Sequence, residues 1–297
     1  MSWRAIAGWI RDHQASPIIR RVALASSIVA LGAGLFWAWR QSSISWSDVD
    51  WPPLIALLLI GVPTGIALNA ITTCQIANRA GVKTSFRFGL EVSIISTAAN
   101  LAPLPGGVLT RVAALHSIGV PGRQAIVGTA MVSAFRAIAA VMLSGLGLMM
   151  SGRLWIGCIF LILAIAGATI LGAKGRLSGG LTQSDGMLAM VQLSLVCVEV
   201  ARLHLAAQAI GAFVSLGAVL AMSASGVAGA VIGVVPAGLG VREAAATGLG
   251  VLAQLDAATA LVAATLNRLA GMAVLLPLAG VVLTVSGVRS KTMPADC

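Results

Sequence analysis

Pro236-Ala237-Gly238-Leu239-Gly240-Val241-Arg242 interrupts an apolar run, and an earlier stretch, Pro105-Gly106-Gly107-Val108-Leu109-Thr110-Arg111, does the same. One copy falls in each half of the chain. In each, apolar chain reaches a proline, two small residues follow, and an arginine stands six places after the proline. A second arginine follows at nearly the same interval in both, Arg136 after Arg111 in copy one and Arg268 after Arg242 in copy two. A charged side chain at the centre of a bilayer costs roughly 2.5–3.5 kcal/mol on insertion scales. Four arginines at matching places in two apolar settings therefore mark the elements around which the chain is organised.

Composition sets the class. Of 297 residues, 58% are hydrophobic and only 9% charged, against about 25% charged in a soluble domain. Apolar runs of about 20 residues recur along the whole length, which predicts an all-α polytopic membrane protein. Lipid-facing β-strands would alternate with period two, and these runs do not. The net charge of +10 sits mostly at the flanks of apolar runs, as positive-inside topology requires. No clustered basic face exists to hold a nucleic acid, so none is expected as a partner. Cys74, Cys158, Cys197 and Cys297 are widely spaced without a CxxC pair, and core packing is their expected role. His13, His116 and His204 share no metal-ligand spacing, so neither metal nor cofactor is expected.

Residues 1–21 interleave Arg4, Arg11, Arg20 and Arg21 with Trp3, Ile6, Trp9 and Ile10, the pattern of an interfacial, cytoplasmic lead-in. The run 22–39 is too long for a signal-peptide core and is expected to stay as a membrane helix. The second helix starts at Pro52–Pro53, reaches about Ala77, and should kink at Pro63 and Gly65. Copy one follows, with apolar arms at 88–103 and 108–119 on either side of the break. Full helices are predicted at 124–150, 154–173 and 187–210. Copy two has arms at 216–235 and 241–255, and the last helix runs over 257–286. One transmembrane domain thus covers 22–286, with repeats at about 53–150 and 187–286, and a tail at 287–297.

Each arm of a copy is shorter than the roughly 20 residues that cross a bilayer. If every broken element crossed once, Arg123, Lys174 and Arg176 would fall outside. If each dips in and returns, Arg79, Lys83, Arg87, Arg123, Lys174, Arg176, Arg289 and Lys291 are all cytoplasmic. Asp48, Asp50, the uncharged 211–217 loop and Asp256 then face outward, with Arg40 and Arg153 as exceptions. The positive-inside bias selects the second arrangement. It predicts about six spanning helices and two re-entrant helical hairpins, in an inner membrane with both termini cytoplasmic. Three crossings separate the copies, so the repeats are inverted, the plan by which many secondary transporters alternate access.

Pro236 to Glu243 resembles the PGGlGvrE stretch of the lysylphosphatidylglycerol synthase transmembrane-region family, the flippase-like part of bacterial multiple peptide resistance factors. Arg268 on the following helix fits that pattern. Asn100-Leu101-Ala102-Pro103-Leu104-Pro105-Gly106-Gly107 with Arg111 is similar to the family's first motif, and the resemblance covers roughly residues 50–290. Ala237 replaces a glycine, and Val112 stands where copy two has Glu243. The resemblance implies a stand-alone member without the aminoacyl-transferase domain, one that moves a lipid and does not make it.

Arg111, Arg136, Arg242 and Arg268 are the candidate substrate ligands, because guanidinium groups bind a lipid phosphate by paired hydrogen bonds. With Arg202 added, the embedded segments hold five arginines against Glu91, Glu199 and Glu243. That excess of cation suits an anionic headgroup. The competing reading is internal pairing, of Arg111 with Glu91, of Arg242 with Glu243 or Glu199, and of Glu199 with Arg202 on one helix face. Glu91 and Glu243 are candidate proton carriers or counter-ions. Asn100 and Asn267 line a polar cavity or bond across helices. Pro105, Gly106, Gly107, Pro236, Gly238 and Gly240 shape the backbone at the breaks.

The chain carries no HExxH and no coherent Ser-His-Asp set, so an embedded enzyme is not expected. The expected function is transport of an anionic lipid or lipid-linked intermediate between leaflets, alongside a partner enzyme that makes the lipid. The alternative is a non-catalytic membrane partner of a lipid-modifying or glycosyltransferase system.

Overall fold

The computed structural model describes residues 49–99, 106–177, 183–231 and 240–292, and every regular element among them is a helix. In chain order these are α1 (Trp51–Arg79), α2 (Phe86–Ala99), α3 (Gly106–Ser117), α4 (Gly122–Met150) and α5 (Leu154–Leu177). Then come α6 (Gln183–Ala209), α7 (Leu216–Met222), α8 (Ser225–Val231), α9 (Val241–Leu252) and α10 (Ala257–Thr292). Five helices, α1, α4, α5, α6 and α10, are long and apolar enough to cross a membrane. At 1.5 Å per residue, the 29 residues of α1 or α4 extend about 42 Å, which exceeds a hydrocarbon core of about 30 Å. The chain is a multi-pass, all-helical membrane protein. The lead-in 1–21, the expected helix 22–39, and Asn100, Pro105, Pro236 and Gly238 lie outside the described residues.

Local sequence explains where the helices depart from expectation. The irregularity of α1 lies one turn ahead of the expected kink, as a π-turn at Leu57–Gly61. Pro63 has no N–H, and its ring would press on the carbonyl one turn earlier, so widening that turn relieves it. α10 passes through Pro277 and continues to Thr292, beyond the expected end at 286. The arm expected as one run at 216–235 is two helices, parted at Ser223–Ala224. There the Ser223 hydroxyl leaves the local pattern and donates to Ala140 O of α4 at 3.1 Å.

The two copies start their return arms differently. α3 begins at Gly106, immediately after Pro105, whereas α9 begins only at Val241, well past Pro236. Gly240, ahead of α9, has φ +80, and its N–H donates to Glu243 Oε2 at 2.8 Å. Copy one has Leu109 and Val112 at the equivalent places. Leu109 would be strained at positive φ, and Val112 offers no acceptor, so the helix forms straight through.

α1 and α6 end alike. α1 ends on Gly81 (φ +79), with Gly81 N–H donating to Asn78 O at 3.0 Å and Val82 N–H to Ala77 O at 3.0 Å. α6 ends on Gly211 (φ +70), with Gly211 N–H donating to Gln208 O at 2.8 Å and Ala212 N–H to Ala207 O at 3.0 Å. Shortly after each stop a serine caps the next helix: Ser85 accepts Phe88 N–H at 3.2 Å, and Ser215 accepts Ala218 N–H at 3.2 Å. Gly119 and Gly152 end α3 and α4 with the same pair of bonds, so what α1 and α6 share beyond the stop is the serine that caps the next helix.

Contacts at the helix tips sort the elements into two ends. At one, Arg79 of α1 pairs with Asp185 of α6. Ile76, Leu115, Val120, Ala125 and Leu188 share a core there. At the other, Asp50 N–H donates to Ala209 O at 3.0 Å, and Gln254 Nε2 donates to Ser151 O at 3.2 Å. Leu148, Ala218 and Ala253 pack together at this second end. α1 and α6 are therefore antiparallel. The pair α2 and α3 starts and finishes at the first end, and the set α7 to α9 starts and finishes at the second. Lys83, Arg87 and Arg123 lie at the first end. Asp50, Asp256 and Arg153 lie at the second.

Small residues bring the helices close. A Cβ on Gly147 of α4 would stand 2.4 Å from Ala221 N and 2.5 Å from Gly217 O of α7. A Cβ on Gly89 of α2 would stand 2.6 Å from Ala70 O of α1. Such backbone approach is the usual basis of helix association in lipid. The cysteines do not all pack in the core as expected. Cys74 is half-buried, but Cys158 and Cys197 are exposed, on faces that lipid would cover.

Candidate functional site

Acceptors on one face of α6 set out the site. Asp185, Gln192 and Glu199 recur every seventh position, close to two full turns, so they line up along the helix. Each meets an arginine from another helix. Asp185 pairs with Arg79 of α1 at the end of the bundle. Gln192 Oε1 accepts from Arg136 Nε of α4 at 3.1 Å. Glu199 pairs with Arg242 of α9.

The inner rungs lie deep. Arg136 stands at the midpoint of α4, Gly122–Met150, about 21 Å from each end at the rise of an α-helix. Glu199 lies well inside α6, several turns from both Asp185 and Ala209. Arg136 also donates from Nη2 to Asn69 Oδ1 at 2.9 Å, and Gln192 Nε2 donates to Thr72 Oγ1 at 2.9 Å. Two neutral amides, and no carboxylate among the described residues, therefore hold Arg136. Neutral partners satisfy its donors but leave its charge in place.

Glu199 is the hub of the second half. Besides Arg242, its Oε1 accepts from Asn267 Nδ2 at 3.1 Å, and its Oε2 stands 3.9 Å from Arg202 Nη1. The expected Glu199–Arg202 pair is thus present but is the looser of the two. Arg202 lies against Gly61 and Gly271, where a Cβ would come within 2.8 Å and 3.1 Å of its side chain. Its Nη2 donates to Asn267 O at 3.2 Å.

A second carboxylate, Glu243, takes Arg268 Nη1 on Oε1 at 2.6 Å and Gly240 N–H on Oε2 at 2.8 Å. Glu243 is only 1% exposed. The sequence left open whether Arg242 pairs with Glu199 or Glu243. Glu243 is committed to Arg268, and Arg242 reaches across to α6.

Arg111 of α3 is close enough to Arg136 for the two charges to repel, and Arg136 feels both Glu199 and Arg242. Arg111 Nε is buried without an acceptor among the described residues. Arginines of both copies thus belong to one electrostatic cluster. Five guanidinium groups, of Arg111, Arg136, Arg202, Arg242 and Arg268, face two carboxylates, Glu199 and Glu243. Three positive charges remain uncompensated among the described residues, which is a costly arrangement in a low-dielectric interior.

Glu91 is not part of this cluster. It pairs with Arg87 one turn earlier on α2, at 3.1 Å and on an exposed stretch, and does not meet Arg111. The i,i+4 spacing near the start of α2 lets two solvated side chains pair locally, and such pairs contribute about 0–1 kcal/mol. Glu91→Gln should leave thermal stability in detergent within about 0.5 kcal/mol of wild type, the ordinary range for a surface change. A large loss would give Glu91 a role that its position does not.

Sequence reading missed Gln192, Asn69 and Asp185. Gln192 and Asn69 are polar residues inside long apolar runs, and the heptad-like spacing of Asp185, Gln192 and Glu199 was the available signal. His116 Nδ1 lies 3.2 Å from Val120 O, and His204 Nε2 lies 3.1 Å from Gln208 Nε2. Among the described residues no group of His, Cys, Asp and Glu is placed to hold a metal. No family model matches the chain, and no curated protein sequence matches it.

Proposed function

We propose that this protein moves an anionic phospholipid, or a lipid-linked phosphate intermediate, between membrane leaflets. The observation that carries the reading is the cationic excess at mid-depth, to which α3 and α4 of the first copy and α9 and α10 of the second all contribute. A phosphate diester entering such a cluster replaces water with guanidinium partners and relieves repulsion among them. Soluble anions would need a hydrated route, whereas a lipid can bring its headgroup in between helices.

The proposal includes an inverted repeat, which suits a transport role. α2 with α3, and α7 with α9, read as two re-entrant elements opening toward opposite sides, completed by a sixth span at 22–39. Arg79, Lys83, Arg87 and Arg123 favour the cytoplasm for one end, and the matching loop after α6 carries no charge. An inner membrane and membership of the flippase-like transmembrane family are part of the same proposal. No catalytic step is invoked, and a partner enzyme would supply the lipid. Inverted halves meeting at a central charged site are the arrangement by which rocking of one half against the other exposes that site alternately.

The test is reconstitution into liposomes with headgroup-labelled phosphatidylglycerol, phosphatidic acid and phosphatidylcholine in the inner and outer leaflets. Faster exchange of the anionic lipids than of phosphatidylcholine is expected. Equal exchange of all three, at the rate of protein-free liposomes, would overturn the proposal.

A further inference from the structure

The two carboxylates of the cluster differ in how they are held. Glu243 has both oxygens occupied by partners close in sequence or on the adjoining helix, Gly240 N–H and Arg268, and is fully enclosed. Glu199 is held from another helix by Arg242, sits beside a second cation, and is a quarter exposed along its side chain. Arg242, Asn267 and Arg202 converge on it with guanidinium and amide donors. Of these donors, the Arg242 guanidinium is the one a phosphate oxygen would take over.

We infer that Glu199 is a tethered competitor for the transported anion, occupying the Arg242 side of the site until a phosphate group displaces it. This rests on the transport reading above and names the residue that holds its site closed when empty. Displacement does not strand the carboxylate. Arg202 stands 3.9 Å from Oε2, on the same helix face, and can take over as its partner with a small rotation. Gly61, at the end of the π-turn in α1, and Gly271 of α10 leave room for the Arg202 side chain beside Glu199. Arg202 Nε is buried without an acceptor among the described residues, so Arg202 has a donor in reserve. Asn267 bridges the two, giving its side-chain amide to Glu199 and its backbone carbonyl to Arg202. The exchange moves Arg242 from an internal anion to an external one and leaves Glu199 paired with Arg202. Arg202 is accordingly a positioning residue for Glu199 and not a ligand of the anion.

The experiment is a titration of the purified full chain in detergent with dioctanoyl phosphatidylglycerol, and separately with inorganic phosphate. Wild type, Glu199→Gln, Glu199→Asp, Arg242→Ala and Glu199→Gln/Arg242→Ala are compared. Glu199→Gln should bind the lipid about tenfold more tightly than wild type, the scale of one charge-assisted hydrogen bond no longer contested. Glu199→Asp, which keeps the charge but withdraws it by one methylene, should gain less. The gain should vanish in the double variant. If wild type binds and Arg242→Ala weakens binding, but Glu199→Gln and Glu199→Asp bind no more tightly, the inference fails while the transport site stands. If no form binds the lipid, both fail. A gain seen with inorganic phosphate alone would support the competitor role of Glu199 and overturn the lipid as its rival.

Discussion

Glu243→Ala should be the most destabilising single substitution in the polar layer, by about 3–5 kcal/mol, the usual cost of breaking a buried ion pair from one side. Two losses coincide. Arg268 loses its 2.6 Å bond to Glu243, and the Gly240 N–H, at the start of α9, loses its acceptor. Glu243→Gln should fall between alanine and wild type, because an amide oxygen can still accept from Gly240 N–H. Replacing both partners with apolar residues, as in Glu243→Leu/Arg268→Met, should recover much of the loss, since no buried charge is then orphaned. Thermal unfolding in detergent reads all of these. Equal unfolding temperatures for Glu243→Ala and wild type would show that the pair does not hold the second return arm in place.

The second large effect is on transport. Arg242→Ala should slow movement of anionic lipid about 10- to 100-fold, because a hydrogen bond from a charged donor contributes about 1.5–3 kcal/mol and each tenfold in rate is about 1.36 kcal/mol. Folding should survive, since Glu199 retains Arg202 and Asn267 as partners. Arg242→Lys keeps the charge but loses the planar fork, and should retain part of the rate. The readout is leaflet exchange of labelled phosphatidylglycerol in liposomes, normalised to the amount of folded protein. Full wild-type rates for Arg242→Ala would remove the second motif from the mechanism.

The fold class and the five long helices were legible because their signal is length and uninterrupted apolarity, which needs no partner to be read. α1, α4, α5 and α10 start close to the expected places, and α1 does so because Pro52 suits a first helical turn. The break within 216–235 was not legible, because the glycines of that run, Gly217, Gly226, Gly229 and Gly233, do not fall at Ser223–Ala224. What parts α7 from α8 is Ser223 bonding to the backbone of another helix. The Pro and Arg spacing suggested a repeat, and the likeness between the ends of α1 and α6, at Gly81 and Gly211, was not part of that signal. Between 80–85 and 210–215 only the Gly and the Ser are shared, so the likeness lies in backbone geometry more than in identity.

Candidate arginines could be named in advance because a charge in an apolar run is costly wherever it sits. Their partners could be named only in part: Arg242 with Glu199 and Glu199 with Arg202 were among the expected pairings, whereas Arg268 with Glu243 was not. Glu243 stands next to Arg242 in sequence but points to Arg268, since neighbours on a helix diverge by about 100°. Glu91 pairs with Arg87 one turn away and not with Arg111, since the i,i+4 partner lies on its own helix face. The neutral groups around Arg136 were overlooked because Asn69 and Gln192 carry no charge, although each sits in an apolar helix with no other reason for its polarity.

The central claim is that the uncompensated arginines hold an anionic lipid. Native mass spectrometry of the protein released gently from its own membrane, beside Arg111→Ala/Arg242→Ala, tests it most directly. The account predicts a phosphate-bearing lipid retained by the wild-type protein and lost from the double variant. Equal retention by both, or no lipid on either, would contradict it and leave the arginines as partners of one another's acids alone.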